Sequence, residues 1–124
     1  MMHVKIDSIQ PVLMSRDVKR SIEFFGSIGF QKTFTDNEED PKYAGVARDG
    51  IELHLQWHDS KEWDFPIDRP TYRFVVQEID QLFQSFVEAG VQNYTQPQKT
   101  PWGTYEFHVR DPDMNGLQFY SSEA

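Results

Sequence analysis

The chain carries one pattern twice, at a spacing of 61 residues. The stretch from Val76 to Thr95 falls on Ser15 to Phe34 when shifted back by that interval. Val18 then meets Ile79, Ile22 meets Phe83, Phe25 meets Phe86, Gly29 meets Gly90, and acidic Asp17 meets Glu78. Each copy reads as a strand, a helix closed by a glycine, and further strands. Two such units can close a sheet around a shared pocket, so the repeat constrains both the architecture and which residues face each other.

Local chemistry fills in the unit. Ile6 to Met14 reads as a strand, interrupted or at an edge at Pro11, which has no amide hydrogen. Asp17 is a helix N-cap. Val18, Ile22 and Phe25 form an apolar stripe at helical spacing, and Gly29 suits a left-handed helix end. Phe30 to Thr35 is a strand and Asp36 to Lys42 a polar loop. Tyr43 to Arg48 and Ile51 to Trp57 form a hairpin turned at Asp49-Gly50, since both residues tolerate positive φ. His58 to Arg69 connects the copies, with Trp63, Phe65 and Pro66 embedded in it. The second copy runs from Thr71 to Val76, through a helix carrying Ile79, Leu82, Phe83 and Phe86, to Gly90. Val91 to Thr95 reads as a strand and Gln96 to Trp102 as a loop. Thr104 to Arg110 and Leu117 to Ser121 are the last strand pair, around a turn rich in Asp, Asn, Pro and Gly.

The fold class is therefore α+β: one domain over 1–124 made of two βαβββ modules, about 1–62 and 67–124. At 124 residues, with ten Phe, five Tyr and three Trp, the chain has enough bulk for a core without staples. It has no cysteine, which excludes disulfides, thiol nucleophiles and thiolate metal sites. Twelve basic against twenty acidic residues leave a net charge of −8, a poor match to nucleic acid and compatible with cationic ligands or simply with solubility. No apolar run is long enough to span a bilayer and Met1 to Lys5 has no signal-peptide core, so no membrane partner and a cytoplasmic location are expected.

If the helices cover one face of the sheet, the other is free to line a cleft. The 61-residue interval pairs Gln10 with Thr71, and the apolar pattern of the last strands pairs His54 with Gln118. Glu52, Arg73, Glu106, His108 and Tyr120 lie beside them. As a metal site this set is poor, because only His54 is a strong ligand for a first-row divalent ion. His54 is either a hydrogen-bonded strand histidine or a ligand. Glu106 and His108, two apart on a strand, suit acid–base work or an ion pair. Trp63 and Trp102, both in loops, suit stacking on a flat ligand or a subunit interface. No nucleophile triad, phosphate loop or paired-histidine helix is present.

Pro11-Val12-Leu13-Met14-Ser15-Arg16-Asp17-Val18, Glu23-Phe24-Phe25 and Gly29-Phe30 resemble the opening strand and helix of the vicinal oxygen chelate superfamily, which includes glyoxalase I, extradiol dioxygenases and bleomycin-resistance proteins. Pro101-Trp102-Gly103, Glu106-Phe107 and Asp111-Pro112-Asp113 resemble its closing hairpin. The resemblance spans nearly the whole chain. It implies a curved sheet around a cleft, usually in a homodimer. Metal-using members place ligands where this chain has Gln10, His54, Thr71 and Gln118. Thr71 and Gln118 replace groups that would normally be His or Glu, and Met114-Asn115-Gly116 departs from the family's usual turn. Bleomycin-resistance members, which are acidic and bind a cationic, flat-ringed antibiotic in a metal-free cleft, are the nearer likeness. The expectation is a small-molecule binding protein without cofactor, taking a cationic or aromatic ligand near Gln10, Glu52, His54, Thr71, Trp102, Glu106 and Gln118. The alternatives are a metal-dependent lyase, isomerase or dioxygenase, or a pure interaction module.

Overall fold

A computed structural model describes residues 2–59, 61 and 70–122. Trp63, Phe65 and Pro66, and with them most of the expected connection, lie outside the described residues. The first module holds β1 (Val12–Ser15), α1 (Val18–Ser27), β2 (Gln31–Thr35), β3 (Tyr43–Arg48) and β4 (Ile51–Trp57). The second holds β5 (Thr71–Val75), α2 (Ile79–Glu88), β6 (Gln98–Lys99), β7 (Thr104–Arg110) and β8 (Gly116–Ser122). Each module builds a four-stranded mixed sheet, in the orders β1-β4-β3-β2 and β5-β8-β7-β6. This is the tandem βαβββ arrangement that the repeat predicts.

Two boundaries differ from expectation. β1 begins only at Val12, not near Ile6, and residues 2–10 are exposed without regular structure. Pro11 accounts for the late start. It offers no N–H to the ladder, although its carbonyl still accepts from the His54 amide at 2.8 Å. In the second module Val91 to Thr95 is not a strand but makes a single bridge, Tyr94 to Val109. The ladder beside β7 instead forms at β6, within the expected loop, where Gln98 and Lys99 pair with Glu106 and Tyr105.

The helices follow their apolar stripes. Asp17 caps α1 by accepting from the Arg20 amide, and α1 buries Val18, Ser21 and Phe25. Both helices are followed by a glycine at positive φ, Gly29 at 94° and Gly90 at 93°. The β3–β4 hairpin turns at Asp49 and Gly50, with φ 52° and 80°, as a two-residue turn requires. Phe119 stacks between Phe74 and Phe107 at 4.9 and 5.2 Å and meets the edge of Phe86 at 5.2 Å. Phe30 reaches Phe74 across the module boundary at 6.4 Å.

The Asp111–Asn115 turn clamps the two modules. Asp113, buried, accepts from the Arg16 backbone N–H and Nε (both 3.0 Å), from Arg20 Nη2 (3.1 Å) and from Ser21 Oγ (3.2 Å). Asn115 Nδ2 donates to the Met14 carbonyl at 3.0 Å and to Asp111 Oδ2 at 2.9 Å. Asp111 Oδ1 accepts from the Asp113 and Asn115 amides. Burial pushes the Asp111 carboxyl up to about 6, against the lowering effect of the Asn115 hydrogen bonds. The Asp-Pro-Asp sequence thus serves as a bolt between the second module's hairpin and the first module's strand–helix turn.

Candidate functional site

Leu13, Ser15, Ala44, Val46, Leu53 and Leu55 point from the first sheet into the core. Their alternates, Val12, Met14, Tyr43, Gly45, Glu52, His54 and Gln56, occupy the opposite face. On the second sheet the open face carries Thr71, Arg73, Thr104, Glu106, His108, Gln118 and Tyr120.

The register ties the two faces together. Val12 pairs with His54 in β1–β4, and Arg73 pairs with Gln118 in β5–β8. Val12 and Arg73 are 61 residues apart, so His54 and Gln118 occupy matching places, as the strand pattern predicts. The same logic matches Gly45, opposite His54, with His108, opposite Gln118.

In the first module His54 is locked from both sides. Nε2 lies 2.8 Å from Glu52 Oε2 and Nδ1 lies 2.8 Å from the Tyr43 hydroxyl. The carboxylate can only accept, so Nε2 carries a proton, and in the neutral ring Nδ1 accepts from the Tyr43 O–H. Phe34 approaches the imidazole edge-on at 5.3 Å and stacks on Tyr43 at 6.0 Å. Gly45 makes room for that ring, since a Cβ there would lie 2.5 Å from Phe34 Cε1.

The second module centres on Glu106, only 3% exposed. It accepts from Arg73 Nη2 (3.1 Å), His108 Nε2 (3.1 Å) and Thr104 Oγ1 (3.0 Å). Burial raises its pKa, but the bonds from His108, Arg73 and Thr104 outweigh this, and the net shift is downward. Arg73 also donates from Nη1 to Gln118 Oε1 and lies 4.1 Å over the Tyr120 ring.

The expected site residues thus fall into two clusters, Glu52 with His54 and Glu106 with Gln118. No hydrogen bond or ion pair among the described residues joins the open-face side chains of one module to those of the other. Thr71 sits on the second face against Gly116, where a Cβ would lie 2.8 Å from its hydroxyl oxygen. Gln10 is exposed beyond β1, donating to Ser8 Oγ at 3.3 Å. Trp102, 67% exposed, stands at the β6–β7 turn. Tyr43 was not singled out from the sequence, yet a signal existed. The two-residue Asp49-Gly50 turn sets Arg48 opposite Ile51, and counting back puts Tyr43 and Gly45 on the face of His54.

Among the described residues, no three His, Asp or Glu side chains converge to hold a metal ion. The strongest donors, His54, Glu52, His108 and Glu106, are engaged with protein partners. No helix among the described residues is long and apolar enough to cross a membrane.

Solved structures similar to this chain share its whole architecture. A bleomycin-binding protein in complex with bleomycin superposes with a TM-score of 0.78 at 20% identity, covering 95% of this chain and all of that one. The bleomycin-binding protein of bleomycin-producing Streptomyces verticillus, in complex with copper(II)-bleomycin, gives 0.76 at 29% identity, covering 98% and 100%. A glyoxalase-related enzyme from Clostridium phytofermentans gives 0.77 at 20% identity, covering 96% and 97%. Among curated proteins no sequence match was found. The family model described as the glyoxalase/bleomycin resistance protein/dioxygenase superfamily matches residues 5–119, nearly the full length, and the chain belongs to that superfamily.

Proposed function

We propose that this protein binds a small aromatic or cationic molecule on its open sheet faces without a resident metal, in the manner of a sequestering protein. One observation carries this reading. Both ring nitrogens of His54 and both oxygens of Glu106 already serve protein partners, so these groups are arranged to present hydrogen bonds rather than to ligate an ion. The two bleomycin-binding relatives support a small-molecule role, and the net charge of −8 supports a ligand with positive charge. Trp102, exposed at its turn, is available to stack on a flat ring.

The binding unit in this reading is a homodimer, in which one chain's first open face meets the partner's second. Support comes from residues 2–10, where Met2, Val4, Ile6 and Ile9 are all more than 80% exposed. So much apolar surface on one short segment is unusual for a monomer.

The Tyr43–His54–Glu52 chain favours a competing reading as an acid–base enzyme, because a hydroxyl hydrogen-bonded to a carboxylate-oriented imidazole can exchange a proton. Metal analysis of protein purified without added metal, followed by tryptophan-fluorescence titration with antibiotics and small aromatics, tests the proposal. Saturable binding by metal-free protein is expected. Near-stoichiometric zinc, nickel, manganese or iron would contradict it.

A further inference from the structure

A cavity of about 180 Å³ opens on the second sheet, lined by Thr71, Asn93, Thr95, His108 and Gln118 among others. It is distinct from the larger apolar groove between the modules, which Phe30, Ile51, Phe74 and Leu82 line. His108 and Gln118 are directly paired across β7 and β8, so their side chains emerge side by side.

What each presents to the cavity is decided by what holds it from the other side. Arginine has only donors, so the Gln118 atom facing Arg73 must be the carbonyl oxygen. The Gln118 amide N–H2 group therefore has no protein partner among the described residues. Glu106 is a carboxylate already receiving Arg73 and Thr104, so it must also accept from His108, which places the proton on Nε2. When the ring is neutral, Nδ1 is then a bare acceptor. One donor and one acceptor stand next to each other, each oriented by a charged neighbour that cannot reverse its role.

We infer that this cavity is a recognition site for a neutral carboxamide or lactam edge, in which the ligand carbonyl accepts from Gln118 Nε2 and the ligand N–H donates to His108 Nδ1. The Thr71 hydroxyl is available as a third contact. A carboxylate offers no donor to His108, an ester has none either, and an ammonium group offers no acceptor to Gln118. The site thus discriminates among groups of similar size by leaving one protein atom unpaired with each wrong ligand. This rests on the open faces being the binding surface, and it assigns the second face a neutral, bifunctional part of the ligand.

Benzamide, methyl benzoate, sodium benzoate and benzylamine share one ring and differ only in the group tested. Titrating each while following the Gln118 side-chain amide and the His108 imidazole by nuclear magnetic resonance reads affinity and location together. Benzamide is expected to shift both signals and to bind about tenfold tighter than methyl benzoate, the order of one or two neutral hydrogen bonds. His108→Phe should bring benzamide down towards methyl benzoate, and Gln118→Met should weaken both ligands, because the ester carbonyl also accepts from Gln118 Nε2. Equal binding of amide and ester in the wild type overturns the inference. So does a preference that survives both variants, or the absence of shifts at Gln118 and His108 at the solubility limit of benzamide. Ligands that bind but shift other residues would defeat the carboxamide site and leave the broader binding function standing. A wholly silent panel, together with flat tryptophan titrations, would defeat both.

Discussion

His54 and Gln118 stand at equivalent places in the two modules, one beside Val12 and the other beside Arg73, and each is held by a carboxylate or guanidinium on its own sheet. The duplicated scaffold has kept the position and changed the chemistry. A proton-bearing ring hydrogen-bonded to Tyr43 and Glu52 occupies one face, and a neutral amide tied to Arg73 occupies the other.

The clamp at Asp113 is expected to carry much of the stability between modules. Asp113→Ala removes four hydrogen bonds, two of them from arginine side chains that are less than half exposed. Because those arginines can recover some hydration, a loss of about 2–4 kcal/mol is expected rather than the full penalty of a stranded buried charge. Urea denaturation checks this through a lowered midpoint at unchanged slope. A change within half a kcal/mol would remove Asp113 from that role.

Asp111 makes stability depend on pH. Its folded pKa of about 6 lies above the ordinary 3.8, so the folded state holds the proton more tightly than the unfolded chain. The stabilisation is complete below 3.8 and lost as pH rises through about 6, at most about 3 kcal/mol in all. Glu106 works the other way, contributing fully above 4.5 and losing its share as pH falls through its lowered folded value. Between roughly pH 5 and 7 the urea midpoint of the wild type should therefore fall more steeply than that of Asp111→Asn, which cannot titrate. Parallel profiles for the two proteins would show that Asp111 is not the group responsible.

Gly45→Ala should distort the first open face. The added methyl would stand 2.5 Å from both Phe34 Cε1 and Thr33 Oγ1, and Phe34 is the ring that edges His54. Overpacking of this kind costs about 1–3 kcal/mol. Combining it with Phe34→Ala should recover part of the loss, and a double-mutant cycle measures how much. Strict additivity would mean that the two side chains do not compete for that space.

Much of this architecture is legible in the sequence because it is local. The helix stripes, the glycines after each helix and the Asp49-Gly50 turn depend on residues within a few positions of one another. The start of β1 is less legible, because Ile6 and Ile9 supply the apolar content of a strand while Pro11 breaks the ladder that would extend it. The cluster around Glu106 was only partly legible. Its Arg73 partner reaches it across β8, and that strand order follows from parallel pairing between segments some 45 residues apart, which no local pattern reports.

Deleting residues 1–10 tests the dimer. If the exposed Met2, Val4, Ile6 and Ile9 pack against a second copy, the full chain should sediment at twice the chain mass and the truncated chain at once that mass over the same concentrations. A full-length monomer, or a dimer indifferent to the deletion, would contradict this arrangement.

The most direct measurement is a calorimetric titration of chelator-treated full-length protein with metal-free bleomycin and a panel of flat, cationic aromatics. The account predicts saturable binding by at least one of them, undiminished by the chelator and weakened in a Trp102→Ala variant. Binding that appears only when a divalent metal is restored, or no saturation with any member of the panel, would contradict it.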